Sequence, residues 1–242
     1  MTAPSHLHYN HCVSEGFNYG MTIGLAFFHG WGLDSRFWRP LAKLLSHHPH
    51  VWMDAGYFGP VSSPDWHGAT HWVGVGHSLG WVRALESPPP NGWSGLVSLC
   101  GFPRFCAKTK GDVGQPRRVI GRMVQTFENT PHDVLHDFLR RCDLLRLMPP
   151  SDAIWHTPRL SADLVRLASL DVNEVLAGYR SPLLALAALD DPIVPSALTA
   201  STFAQRPNTQ LIWHAQGGHA LGHVQASACA RAVGDFMKTL DA

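Results

Sequence analysis

Charge is scarce in this 242-residue sequence: Asp, Glu, Lys and Arg make up 15% of it, against about 25% in an average soluble protein, while the hydrophobic set reaches 45%. That balance argues against extended disorder and for one compact core. An excess of either sign is also lacking, since 19 basic and 18 acidic side chains leave a net charge of +1. No global field therefore draws the chain to nucleic acid or an anionic membrane, and a charge-driven partner would have to meet a local patch. No apolar run approaches 18 residues, and the first twenty residues lack the basic start and apolar stretch of a signal peptide. We therefore expect no membrane-spanning segment and a cytoplasmic location. Paired cysteine spacing is absent too: Cys12, Cys100, Cys106, Cys142 and Cys229 contain no Cys-x-x-Cys, which suggests neither a disulfide framework nor a zinc ribbon.

Short apolar runs ending at loop residues are what the sequence does have. Ile23 to Phe28 precedes HGWG, Val51 to Met53 precedes DAG, Trp72 to Val75 precedes GHSLG, and Leu96 to Leu99 precedes CGFP. Each reads as a buried strand. Helical stretches lie between them, such as Phe37 to Leu45 and the segment after Ser78, and this alternation implies a mostly parallel sheet flanked by helices. From about residue 103 to 178 the pattern becomes helical without a clear strand, as a lid inserted into the sheet would be. Strands resume at Pro182 to Leu189 and Gln210 to His214, and a helix is expected from about Val224 to Leu240. The expected organisation is a disordered tail over 1–20 and a single α/β domain over 21–242.

Gly76-His77-Ser78-Leu79-Gly80 follows a predicted strand and opens a predicted helix, the context a nucleophile elbow requires. A serine hydroxyl needs a base to take its proton, and the base needs an orienting carboxylate. Asp191, in DDPIVP after a strand, and His219, in GGH after the next, follow Ser78 in that chain order; Asp190 is the rival carboxylate. The charge that develops on the carbonyl oxygen needs preorganised N–H donors, for which the backbones of Trp31 in HGWG and of Leu79 are the candidates. Ordinary turn, capping and loop roles are the alternatives for each of these residues.

The triad, HGWG and the run FFHGWGLDSRFWRPLAKLL together resemble the alpha/beta hydrolases, and most of all the pimeloyl-[acyl-carrier-protein] methyl ester esterases of biotin synthesis. The resemblance implies an alpha/beta-hydrolase fold with a helical lid, no cofactor, and hydrolysis of an acyl ester borne on acyl carrier protein. It implies that Trp31 lines the acyl pocket, that Phe138 and Leu139 contribute from the lid, and that lid arginines touch the acidic carrier; Arg117, Arg118, Arg122, Arg140 and Arg141 are the candidates. Trp81 departs from the family's usual glycine, and Ala188 from another. Independently of the family, residues 101–150 hold nine basic and five acidic side chains, a surplus of four, which leaves −3 on the rest. A general short-chain esterase or thioesterase, a carbon–carbon bond hydrolase, and a noncatalytic ligand-binding module remain as other readings.

Sixteen histidines invite a metal reading. The sets His6, His8, His11 and His47, His48, His50, and the pair His132 and His136, come with no HExxH or cysteine ligand set, so no metal site is expected. Cys100 and Cys142 read as buried hydrophobes.

Overall fold

The computed structural model describes residues 21–240; the expected tail lies outside them. Six strands form one sheet: β1 (Ile23–Phe28), β2 (His50–Met53), β3 (His71–His77), β4 (Gly95–Leu99), β5 (Leu183–Ala188) and β6 (Thr209–His214). Every neighbouring pair is parallel, in the order β2-β1-β3-β4-β5-β6. β1, β4 and β5 are buried along their whole length, which their unbroken apolar runs require once both faces of the sheet are covered.

In a parallel sheet the loops that follow the strands gather on one edge. Here that edge collects His29 to Gly32 after β1, Ser78 after β3, Cys100 after β4, Asp190 and Asp191 after β5, and His219 beyond β6. The chain leaves β1 for β2 on one side and returns to β3 on the other. A crevice opens at such a reversal of strand order, and open α/β sheets bind ligands there.

The helices are α1 (Arg39–Leu44), α2 (Leu79–Glu86), α3 (Arg117–Phe127), α4 (Pro131–Arg141), α5 (Thr157–Ser169), α6 (Asn173–Gly178), α7 (Ser196–Phe203), α8 (Leu221–Val224) and α9 (Ala226–Lys238). Among them α3 to α6 lie between β4 and β5, with α3 packed on both α4 and α5. Among the described residues, no helix is long and apolar enough to cross a membrane.

One expected helix is divided. The one expected over Phe37 to Leu45 is a 3-10 turn, Ser35–Trp38, followed by α1. The turn is capped by Asp34, whose carboxylate accepts the Arg36 N–H at 2.8 Å. Pro40 explains the division, because proline fits the first turn of an α-helix but clashes with the carbonyl four residues before it. The helix expected from about Val224 to Leu240 is α9, and the short α8 precedes it, separated from it at Gln225 with φ −110° and ψ 33°.

Candidate active site

Ser78 stands at the turn from β3 into α2 with φ 54° and ψ −126°, a region that L-residues adopt at a cost of about 1–3 kcal/mol. Its backbone is held on both sides: its N–H donates to Leu99 O at 3.0 Å in the adjacent strand, and its carbonyl accepts the Trp81 N–H at 3.1 Å. The flanking glycines are needed for close approach. A Cβ on Gly76 would collide with the Trp81 backbone, and one on Gly80 with the carbonyl oxygens of Phe28 and His29. Trp81 is fully buried, lies against Gly76 and Gly101, and packs edge-on to Phe203 with ring centroids 5.4 Å apart. Gly80→Ala should lower stability by at least ~3 kcal/mol, the upper end of overpacking, because the obstacle is backbone that cannot rotate away. Urea unfolding measures this, and an unchanged midpoint would contradict it.

Asp191 and His219 form a buried pair, with side chains 3% and 0% exposed and Oδ2 2.9 Å from Nδ1. The other oxygen, Oδ1, accepts the N–H groups of Ile193 at 2.8 Å and Val194 at 3.0 Å. Burial alone would raise the Asp191 pKa. The His219 charge and hydrogen bond together with the two amides outweigh it and hold the carboxyl below the ordinary 3.8. An ionised carboxylate only accepts, so Nδ1 carries the imidazole proton and Nε2 presents a lone pair. Nε2 is buried without a partner among the described residues.

The loop bearing His219 is pinned by neighbours that the sequence does not reveal. Asp190 accepts the N–H groups of Gly217 at 3.3 Å and Gly218 at 2.8 Å, so the two adjacent aspartates divide the work of holding loop and imidazole. Cys100 donates to Gly218 O at 3.7 Å. Its sulfur also lies within 4.8 Å of ligand atoms of Asp191 and His219, the one grouping among the described residues able to hold a metal ion. Expected only as a packing residue, Cys100 is buried but is also a neighbour of the pair. Burial first, and the Asp191 charge next, push its thiol well above the ordinary value, so it stays protonated. Its position straight after a strand, like that of HGWG and GHSLG, is the signal that marks it.

His29, buried, accepts the Ala55 N–H at Nε2 (2.9 Å), so its Nδ1 carries the proton and donates to Gly30 O, also at 2.9 Å. Peptide planarity then fixes the Trp31 N–H in the opposite direction. Neither the Trp31 nor the Leu79 backbone N–H has an acceptor among the described residues.

Ser78 and Trp31 open onto a small cavity of about 50 Å³, well below the roughly 300–1,000 Å³ usual for small-molecule sites. Its walls are mostly apolar, from Phe102 and Phe105 after β4 and from Ile120, Met123 and Leu164 on α3 and α5; Gln115 and Arg141 are its polar members besides Ser78. The Trp31 indole donates to Leu160 O of α5 at 2.8 Å and packs edge-on to Phe138 of α4, with centroids 5.2 Å apart. Phe138 lines the cavity, whereas Leu139 does not: it is fully buried in the core, because successive helix positions point about 100° apart. Gln115 and Arg141 tie the helical segment to the Asp191 loop, donating to Ile193 O at 2.7 Å and Pro192 O at 3.3 Å.

The five candidate arginines are exposed but do not all converge. Arg122, Arg140 and Arg141 line a groove between α3 and α4 that shares Val119, Met123, Phe138 and Arg141 with the cavity. Arg117 and Arg118 begin α3.

This arrangement of sheet, elbow and inserted helices is the alpha/beta-hydrolase fold, and solved structures agree. The chain superposes on an esterase from Exiguobacterium antarcticum with a TM-score of 0.76, covering 90% of this chain and 93% of that one at 14% identity. It matches a bromoperoxidase from Bacillus anthracis at 0.75, with the same coverages and 18% identity. In sequence, the chain is similar to the pimeloyl-[acyl-carrier protein] methyl ester esterase of Legionella pneumophila strain Corby, 25% identical over 83% of this chain and 89% of that protein. It is also similar to the biotin biosynthesis bifunctional protein BioHC of Cellvibrio japonicus, 29% identical over 89% of this chain but only 48% of that longer protein. No family model matches the chain.

Proposed function

We propose that the protein is a serine carboxylesterase that cleaves the methyl ester of a pimeloyl-type acyl group carried on acyl carrier protein. The observation that carries the reading is Ser78, held at an elbow in the floor of an apolar cavity, together with a buried Asp191–His219 pair whose Nε2 is free to accept a proton. Ser78 Oγ attacks the ester carbonyl as His219 Nε2 takes its proton, and the Trp31 and Leu79 N–H groups receive the oxyanion. The tetrahedral intermediate collapses, His219 protonates the departing methoxide, and methanol leaves an acyl-enzyme. Water, deprotonated by His219, attacks that ester; the acid leaves and Ser78 regains its proton. Asp191 fixes the tautomer and stabilises the imidazolium throughout. Cys100 is a poorer nucleophile, since its thiol is kept protonated and does not line the cavity.

The named relatives and the apolar cavity favour the acyl ester, and the arginine groove running into the cavity favours an anionic carrier. Arg117 and Arg118 support this, because cations in a helix's first turn oppose its dipole and so do not stabilise α3. Arg122→Glu with Arg140→Glu should lower kcat/KM on the carrier-bound ester about tenfold or more at low salt, an effect that salt erodes. Hydrolysis of p-nitrophenyl butyrate should be unchanged. Equal rates on both substrates would point to a general short-chain esterase instead.

A further inference from the structure

A second buried histidine lies against His219 and takes no part in the steps above. His77 is the last residue of β3, immediately before Ser78, and is fully buried. Its Nε2 lies 2.8 Å from the backbone carbonyl oxygen of His219. A carbonyl only accepts, so Nε2 carries the proton and Nδ1 is left as a lone pair. Nδ1 has no partner among the described residues and faces Gly30, where a Cβ would come within 2.8 Å of it. The His77 ring stacks on Phe37, with centroids 4.3 Å apart at 23°, and sits 4.7 Å from the His219 ring.

The charged and titratable groups facing His77 are His219, Asp191 and His29. Burial first, and the neighbouring His219 next, push its basicity well below that of an ordinary histidine. His77 therefore remains a neutral donor when His219 takes up a proton, and adds no second positive charge beside the imidazolium.

The loop ahead of His219 is intrinsically permissive, with Gly217 at φ 132° and Gly218 at φ 54°. Asp190 fixes its N–H groups and Cys100 the Gly218 carbonyl. The contact from His77 falls one residue further on, at the residue that carries the base.

We propose that His77 is a positioning residue: by holding the His219 carbonyl from the position adjoining Ser78, its Nε2–H sets the imidazole in register with the serine hydroxyl. The proposal rests on the reading of Ser78 as nucleophile and His219 as base. One hydrogen bond then couples the strand that presents the nucleophile to the loop that presents the base, so an error in one is followed by the other.

His77→Phe keeps a flat ring on Phe37 and removes the donor; His77→Gln restores an N–H at similar reach. With p-nitrophenyl butyrate, His77→Phe should lower kcat by about tenfold to a hundredfold, the scale expected of an ångström-level misplacement, with KM unchanged. His77→Gln should recover most of that loss. A His77→Phe protein with wild-type kcat, or a His77→Gln protein no better than a folded His77→Phe, would overturn the proposal. Nitrogen-15 spectra of the histidines in the unaltered protein give a reading that needs no variant. They should show His77 as the neutral Nε2–H tautomer at pH 7, and an Nδ1–H or charged His77 would overturn the proposal. An unaltered protein without esterase activity would instead remove the reading of Ser78 on which the proposal depends.

Discussion

Ser78→Ala should abolish ester hydrolysis, lowering kcat by about 10⁶-fold if the constellation behaves as a unit, as serine hydrolase triads do. The size follows from the chemistry: without Oγ no acyl-enzyme forms, and only binding and oxyanion stabilisation of a direct water attack remain. Stability should change little, because the Ser78 side chain makes no hydrogen bond among the described residues, and alanine relieves none of the backbone strain at φ 54°. Cys100→Ala gives the contrast. If Cys100 carried the nucleophilic step, this variant would be the inactive one; on the present account it retains the acyl-transfer step, and any loss is confined to how well the His219 loop is held. Initial rates on p-nitrophenyl esters, with melting temperatures alongside, separate the two. Ser78→Ala with appreciable activity would contradict the account.

Asp191→Asn should cost about 10⁴-fold in kcat, since an amide can donate to Nδ1 and so favour the tautomer with its proton on Nε2, the wrong nitrogen for a base. The same carboxylate makes a testable contribution to acid stability. Its folded pKa lies below its ordinary 3.8, so the unfolded chain binds its proton more readily. The stabilisation is fully present above that ordinary value and is lost as the pH falls through the folded one. Between pH 7 and 5 this group should leave stability flat; below about pH 4 the unaltered protein should lose stability more steeply than Asp191→Asn. Parallel acid profiles for the two proteins would show that the pair is not ionised as described.

Much of the scaffold can be read from the residues, because it is set by local pattern. Runs such as IGLAFF and LLALAA, short and ending at loop residues, read as buried parallel strands, and the loops after them put the chemistry on one edge of the sheet. Ser78, Asp191 and His219 stand out for the same reason: each follows a strand in a fixed chain order. What the pattern does not carry is the docking of the inserted helices. Phe138 and Leu139 are adjacent and both apolar, and only the seating of α4 on Trp31 sends one into the cavity and the other into the core. Pairings across the chain are equally hidden. Asp190 and Asp191 look alike in sequence, and their separate partners appear only when β5 and the His219 loop are side by side. The same holds for His77, which reaches 142 positions along the chain to His219.

Some of the histidines find structural roles in the same way. His29 and His77, both within a few residues of glycine turns, are buried and fixed in defined tautomers by carbonyl and amide partners. His223 likewise holds Phe37 O at 2.8 Å.

Ser78, activated by His219, is the proposed nucleophile. Incubation of the full chain with a fluorophosphonate, followed by intact-mass and peptide mass spectrometry, tests that role most directly. The expected result is one phosphonyl group per chain, on Ser78, lost in His219→Ala and retained in Cys100→Ala. No incorporation, or incorporation at another residue with Ser78 unmodified, would contradict it.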